Sequence, residues 1–279
     1  MTGIKAALVQ LNSSDSPADN LPVTQALIGE AAGQGARFVL TPEVTNCIST
    51  SRSHQSEVLQ PEDQDITLAA LREQAAQLGI WLLIGSLALK SGDPDGRFVN
   101  RSFLITPEGR VKARYDKIHM FDVQVSETET YRESAGYRPG TRAVLTGLDR
   151  LSLGMTICYD IRFPHLYRQL AGAGADVISV PSAFSPVTGA AHWEALLRAR
   201  AIENGCYILA PAQTGTHSSQ TGKPRTTFGH SLAVDPWGTV LTDAGGPPGV
   251  KTVDLDPAQV AKARQRIPSL THGTEFGGP

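Results

Sequence analysis

Residues 151–164 read LSLGMTICYDIRFP, and both the fold and the chemistry depend on how that stretch is parsed. It opens as an apolar run of the length and β-branched character of a buried strand. Cys158 stands where the run turns polar, and Pro164 then opens the apolar, helix-like segment HLYRQLAGAGA, a position proline favours at a helix start. A cysteine between a strand end and a helix start is held rigidly while its sulfur stays reachable. The positive end of a helix dipole nearby favours its thiolate form. The competing reading is that Cys158 is a small core residue, the usual fate of a free cysteine. From this stretch alone the two readings are even.

Working outward, the strand–helix alternation continues in both directions. Before the stretch, strands are expected at 4–12, 37–43, 80–89, 98–105 and 110–115, with helices at 22–35 and 65–78. Residues 116–147 show little periodicity and form a long loop, of a length that is usually functional. After it, the pattern predicts a helix at 164–173, a strand at 176–184, a helix at 190–205 and a strand at 206–213. HSSQTGKPRTT (217–227) reads as a mobile loop. A strand–turn–strand at 230–244, a strand at 250–256, a short helix at 256–265 and a tail follow. This alternation indicates an α/β protein with largely buried sheets. No composition shift marks a linker and no repeat recurs, so one domain over 1–279 is expected, with a tail at 267–279.

The composition narrows the function classes. Hydrophobic residues make up 41% and charged residues 19% of 279, with a formal net charge of −2. Lysine and arginine are scattered without a basic run, so neither nucleic acid nor an anionic membrane is an expected partner. No stretch approaches the roughly 20 apolar residues of a membrane span, and the N-terminus reads as a first strand rather than a signal peptide. The cysteines, Cys47, Cys158 and Cys206, are three and far apart, without a CxxC pair or a Cys/His cluster. That argues against a zinc site or a disulfide framework and fits a reducing, cytoplasmic setting.

A cysteine nucleophile needs a base and a group to hold the oxyanion it creates. None of the seven histidines lies in a papain- or caspase-like signature; His119, His192 and His230 read as structural. The alternative base is a carboxylate. Glu43 follows the strand RFVLTP, and Lys117 follows the strand VKARYD. In α/β sheets ligands bind at the carboxyl ends of strands. Each residue alone reads as surface charge, but three strand ends supplying Glu, Lys and Cys form a constellation. Cys47 and Cys206 read as structural.

PE at 42–43, YDKIHMFD at 115–122 and ICYDIRFP at 157–164, in that order, resemble the three motifs of the nitrilase, or carbon–nitrogen hydrolase, superfamily. The resemblance runs from about residue 4 to about 266 and is weakest at 214–228. ESAGYRPG (133–140) resembles the segment carrying the family's second glutamate, here Glu133. PSAFSPVTGAAHWEALLRARAIENGCY and GHSLAVDPWG are similar to the Nit branch, nearer its deaminated-glutathione amidases than its omega-amidases.

The resemblance implies an α-β-β-α four-layer sandwich that pairs as a homodimer or larger assembly. It implies amide hydrolysis through a Cys158 thioester, with Glu43 as general base and Lys117 plus the Tyr159 backbone N–H holding the oxyanion. Glu133 would keep Lys117 charged and oriented. Ala183 and Phe184 would line the pocket, and no metal or organic cofactor is needed. Arg162, four residues after the nucleophile, is the candidate for a substrate carboxylate, which a guanidinium matches bidentately; a salt bridge to Asp160 is the equal alternative. The expected substrate is a small carboxylate-bearing amide, deaminated glutathione first. Alternatives are alpha-ketoglutaramate-type monoamides, N-carbamoyl amides, and a non-catalytic nitrilase-fold binding protein.

Overall fold

The computed structural model describes residues 3–125, 127, 130–274 and 277–278, so part of the expected tail and both chain ends lie outside the described residues. The first half runs β1 (Ile4–Gln10), α1 (Pro17–Gly33), β2 (Phe38–Leu40), α2 (Arg52–Val58), α3 (Ile66–Leu78), β3 (Trp81–Lys90), β4 (Phe98–Ile105) and β5 (Val111–Asp116). A small hairpin, β6 (Asp122–Gln124) and β7 (Thr130–Arg132), precedes β8 (Val144–Leu148) and β9 (Leu151–Met155). Then come α4 (Pro164–Gly172), β10 (Val177–Ser179), α5 (Pro186–Asn204) and β11 (Tyr207–Ala210). The hairpin β12 (Thr214–Thr216) and β13 (Thr226–Phe228) is followed by β14 (Leu232–Val234), β15 (Val240–Asp243), β16 (Gly249–Leu255) and α6 (Pro257–Arg266).

Local chemistry explains the helix limits, including those the pattern misplaced. α1 starts at Pro17 rather than 22 because the Ser16 hydroxyl accepts the Asp19 N–H and Pro17 occupies the first turn, where its missing N–H costs nothing. α5 likewise starts early, at Pro186, and ends at Gly205 in the left-handed region. Asp65 caps α3 at Leu68 N–H, 2.7 Å away. Three expected strands are shorter than their apolar runs: pairing ends at Leu40, Ser179 and Ala210, and the residues beyond leave the sheets to build loops.

Two six-stranded sheets result, ordered β16-β1-β2-β3-β4-β5 and β15-β14-β11-β10-β9-β8. Each contains a parallel trio, β1-β2-β3 and β9-β10-β11, as helical crossovers require. Side chains alternate as a two-residue period dictates. Ala6, Leu8, Leu40 and Leu83 face the second sheet, joining Leu153, Met155, Val177 and Leu209 in one inner core. Ala7, Val9, Val39 and Leu82 face outward against Ile28 of α1 and Leu71 of α3. Trp193 and Leu197 of α5 cover the other sheet. The order is therefore helix, sheet, sheet, helix, the four-layer sandwich expected.

This topology places the functional strand ends together. β4 is antiparallel to β3 and β5 antiparallel to β4, so β5 ends at the same side as β2 and β3. The carboxyl ends of β2 and β5 thus open on one edge of the first sheet, opposite the carboxyl ends of β9 and β10 in the second.

Candidate active site

Glu43 leaves β2 through a tightly tied turn. Thr41 N–H donates to Leu83 O, Gly85 N–H to Thr41 Oγ1, and Ser86 N–H to Pro42 O, at 3.0, 3.1 and 3.2 Å. Gly85 is required there: a Cβ would lie 1.9 Å from Thr41 O and 2.6 Å from Pro181 Cβ. Val44, the next residue after Glu43, has φ of 47°, unusual for a β-branched residue. Its N–H is held by Ser86 Oγ at 2.8 Å. Cys158 also has φ of 47°, at the start of a 3₁₀ turn over Cys158–Arg162, with its N–H on Pro181 O at 3.0 Å. Both turns hold non-glycine residues in a sparsely populated conformation, a feature that clusters at functional sites.

The side chains meet at the floor of a cavity of about 410 Å³. Lys117, 2% exposed, donates from Nζ to Glu43 Oε1 at 2.8 Å and to both Glu133 oxygens at 3.0 and 2.9 Å. Glu43 Oε2 accepts the Ala183 N–H at 2.9 Å. Asn100 Nδ2 donates to Glu43 Oε1 at 2.9 Å and reaches Glu133 Oε1 at 3.4 Å. Glu133 Oε2 also accepts the Phe121 N–H at 2.7 Å. The Cys158 thiol faces the Glu43 carboxylate and the Ala183 N–H. Glu43, Lys117, Cys158, Glu133, Tyr159, Ala183 and Phe184 all line the cavity.

The charges follow from burial and pairing. Burial alone would raise the Glu43 carboxyl, but the Lys117 ammonium, helped by Arg225, holds it below the ordinary glutamate range. Burial works against the Lys117 charge as well, yet Glu133 and Glu43 push it well above the usual lysine value. Burial, then the negative charge of Glu43, pushes the Cys158 thiol far up, against the opposing pull of Lys117. The helix-dipole expectation of a ready thiolate is therefore reversed, because desolvation of the sulfur outweighs the dipole. The resting site is a carboxylate, an ammonium and a thiol, so the proton must leave sulfur during reaction with substrate, with Glu43 in place to take it.

Two placements differ from the sequence reading, both concerning Arg162, and Cys47 stays structural although it lines the cavity. Arg162 does not line the cavity; its Nη2 lies 3.3 Å from His192 Nδ1, and its guanidinium sits over the Phe184 and Tyr159 rings at 5.6 and 6.0 Å. Asp160 is not its partner. Fully buried, Asp160 accepts the Ile157 N–H at 2.9 Å, the Tyr115 hydroxyl at 2.6 Å and the His119 N–H at 3.1 Å, and pairs with His119 Nδ1 at 2.7 Å. It thereby ties the strand end carrying Lys117 to the turn carrying Cys158, and His119 stacks on Phe163 in the same joint. Cys47 lies in the cavity wall, its Sγ donating to Asp15 O at 3.4 Å; burial and Asp15 push its thiol up to about 12, which keeps it unreactive.

The polar segment 217–227 is fastened to the body rather than merely polar and loose. Asp15 Oδ2 accepts Ser219 Oγ and Gln220 N–H at 2.9 and 2.7 Å, and His217 binds Ser13 O and Thr227 Oγ1 at 2.8 and 2.7 Å. Arg225 reaches from this segment into the cavity and donates from Nη2 to Ala183 O at 2.6 Å. Asn100 and Arg225 were missed by the sequence reading. Asn100 left a trace, a polar residue inside the apolar strand FVNRSFLI; Arg225, in a uniformly polar loop, left none. Among the described residues no group of three or more His, Cys, Asp or Glu is placed to hold a metal, and no helix is long and apolar enough to cross a membrane.

Comparison with known proteins bears on this geometry. The family described as carbon-nitrogen hydrolase matches residues 5–265. A deaminated glutathione amidase of Yersinia enterocolitica is 39% identical over 273 residues, covering 98% of this chain and 93% of its own. Among solved structures, the Caenorhabditis elegans NitFhit protein superposes with a TM-score of 0.85 at 33% identity, covering 98% of this chain and 65% of that one. Saccharomyces cerevisiae Nit3, a member of branch 10 of the nitrilase superfamily, superposes with a TM-score of 0.82 at 30% identity, covering 96% and 95%.

Proposed function

The chain belongs to the carbon–nitrogen hydrolase family and hydrolyses amides; from that premise we propose that it cleaves deaminated glutathione through a Cys158 thioester. The observation that carries this reading is the convergence of Glu43, Lys117 and Cys158, from three strand ends and two sheets, on one cavity floor. The substrate is suggested by relatives such as the Yersinia enterocolitica enzyme, which carries that name over nearly the same length.

In the proposed reaction the Glu43 carboxylate takes the Cys158 proton as sulfur attacks the amide carbonyl carbon. The negative charge that develops on the carbonyl oxygen is held by the Lys117 ammonium and the Tyr159 N–H, an amide of the 3₁₀ turn's first residues, which lack an intrahelical acceptor. Protonated Glu43 then gives its proton to the leaving amine as the C–N bond breaks. Water enters, loses a proton to Glu43 and attacks the thioester; the acyl group departs as a carboxylic acid and sulfur regains its proton. Glu133 and Asn100 keep Lys117 and Glu43 aligned throughout, and Ala183 and Phe184 shape the pocket.

The proposal extends to a single catalytic domain, a homodimer and a cytoplasmic location. Ile202 of α5 and the neighbouring Trp237 are 53% and 46% exposed, a small apolar patch suited to pairing with a second copy. All three cysteines are free, as a reducing compartment requires.

The test is release of the amine leaving group from deaminated glutathione, against ammonia release from alpha-ketoglutaramate, with Cys158→Ala as blank. Higher kcat/KM on the first is expected. The reverse preference would make the protein an omega-amidase, and turnover of neither would remove the substrate assignment.

A further inference from the structure

We propose that Arg225 is the specificity-determining residue of this cavity and binds a carboxylate of the amide substrate, an inference that rests on the amidase reading above. Among the described residues no carboxylate forms an ion pair with it. Its hydrogen bond goes to a neutral acceptor, Ala183 O; its Nε is buried without a partner, and its guanidinium lies over the Tyr131 ring at 5.7 Å. Arg101, by contrast, is neutralised by Asp116 and Glu62, and the more deeply buried Arg200 by Glu203. Arg225 is half-buried and feels Glu43 only at longer range, so a ligand carboxylate gives its guanidinium the direct anionic partner it lacks.

Position makes the assignment specific. The Ala183 carbonyl holds Arg225 while the N–H of the same residue holds Glu43 Oε2, so one residue sets the guanidinium relative to the general base. A guanidinium has five N–H donors in a planar fork, and one is engaged by Ala183. The rest can take a carboxylate bidentately while the amide carbonyl lies over Cys158. The supporting hairpin is fixed before substrate arrives: His217 N–H donates to the Arg225 carbonyl at 2.8 Å, Thr50 Oγ1 holds Lys223 O at 3.0 Å, and Asp15 holds Ser219 and Gln220. Arg52 and Arg132 also line the cavity, but both are exposed, where solvent weakens their pull.

The experiment compares glutaramate with valeramide, two amides of equal chain length of which only the first carries a carboxylate. Wild type, Arg225→Gln and Arg225→Lys are assayed on the pH plateau of each enzyme. Arg225→Gln should lower kcat/KM for glutaramate about 30-fold, mainly through KM, the size expected for a charged hydrogen-bonding partner. Valeramide should change less than about threefold, and Arg225→Lys should recover part of the loss. Equal losses on both amides, or none on either, would reduce Arg225 to a strut of its hairpin. If Arg225→Gln does not fold, the lysine variant carries the comparison, with selectivity for glutaramate expected to fall at least about fivefold and an unchanged ratio overturning the proposal. Calorimetric binding of glutarate to wild type and the folded variant separates the two readings. Absence of all amide turnover defeats the amidase reading, whereas glutarate binding that the substitution leaves unchanged defeats this one.

Discussion

Lys117 and Arg225 are two cations of the same cavity, and they are surrounded in opposite ways. Lys117 is enclosed by Glu43 and Glu133, with three bonds to carboxylate oxygens between 2.8 and 3.0 Å. Arg225 has a carbonyl, a ring and a buried Nε without a partner. The floor is complete before substrate arrives, as preorganised electrostatics require, because groups already oriented need no reorganisation as charge develops. The wall is left incomplete where a ligand is to be recognised. Chemistry and recognition are thus assigned to different cations on different elements, one at a strand end and one on a hairpin.

The widest test of the floor is Cys158→Ala. Activity should fall by a factor on the order of 10⁴ or more while the unfolding temperature stays nearly unchanged, since nucleophile loss removes the covalent route and little packing. Substantial residual turnover would remove Cys158 from the reaction. Next, Glu133→Gln should lower kcat by about 10- to 100-fold with little effect on KM, the range seen when a group that orients a reacting residue is lost. An effect on KM alone would place Glu133 in the wall rather than the floor. Gly85→Ala should both destabilise the protein, by about 1–3 kcal/mol, and lower kcat, because its methyl group displaces the Thr41–Pro42 turn that delivers Glu43. Unfolding and steady-state kinetics on one preparation check both.

The pH dependence separates floor from wall more finely. Glu43 has a depressed folded value, so its contribution to stability is present above the unfolded value of about 4.5 and is lost as pH falls through the folded one. The unfolding temperature of wild type should therefore fall more steeply than that of Glu43→Gln below about pH 4.5. Lys117, whose folded value is raised, contributes stability below 10.5 and loses it only in stronger alkali, so it adds no slope near neutrality. Parallel acid limbs in the two proteins would contradict the pairing of Glu43 with Lys117. The smallest effect is expected from Arg162→Ala. With Arg162 beside His192 and outside the cavity wall, the kcat/KM ratio of glutaramate to valeramide should move less than about threefold. A large, carboxylate-selective loss would transfer the recognition role from Arg225 back to Arg162.

Much of the sandwich was legible because its signals are local. Apolar runs of strand length and helix-length segments such as 65–78 and 164–173 depend only on neighbours in the chain. The boundaries that went astray, at Pro17, Pro186 and the ends of β2 and β10, lie where capping or the site loops override periodicity. In the site, Glu43, Lys117 and Cys158 could be named in advance because each follows a strand and together they match family motifs. Asn100 and Asp160 take their meaning from partners 57, 33, 45 and 41 residues away, and no spacing in the chain announces such pairs.

By itself, then, the sequence determined the α/β class, most of the elements and the identities of nucleophile, base and ammonium candidates, since periodicity, capping and motif are properties of short segments. Only the tertiary structure decided that Arg225 and not Arg162 faces the cavity, that Asp160 ties two strand ends together, and that Cys158 rests as a thiol. Those outcomes depend on which surfaces two sheets bring within a few ångströms of each other. Desolvation and Coulomb forces act through that distance and have no counterpart along the chain.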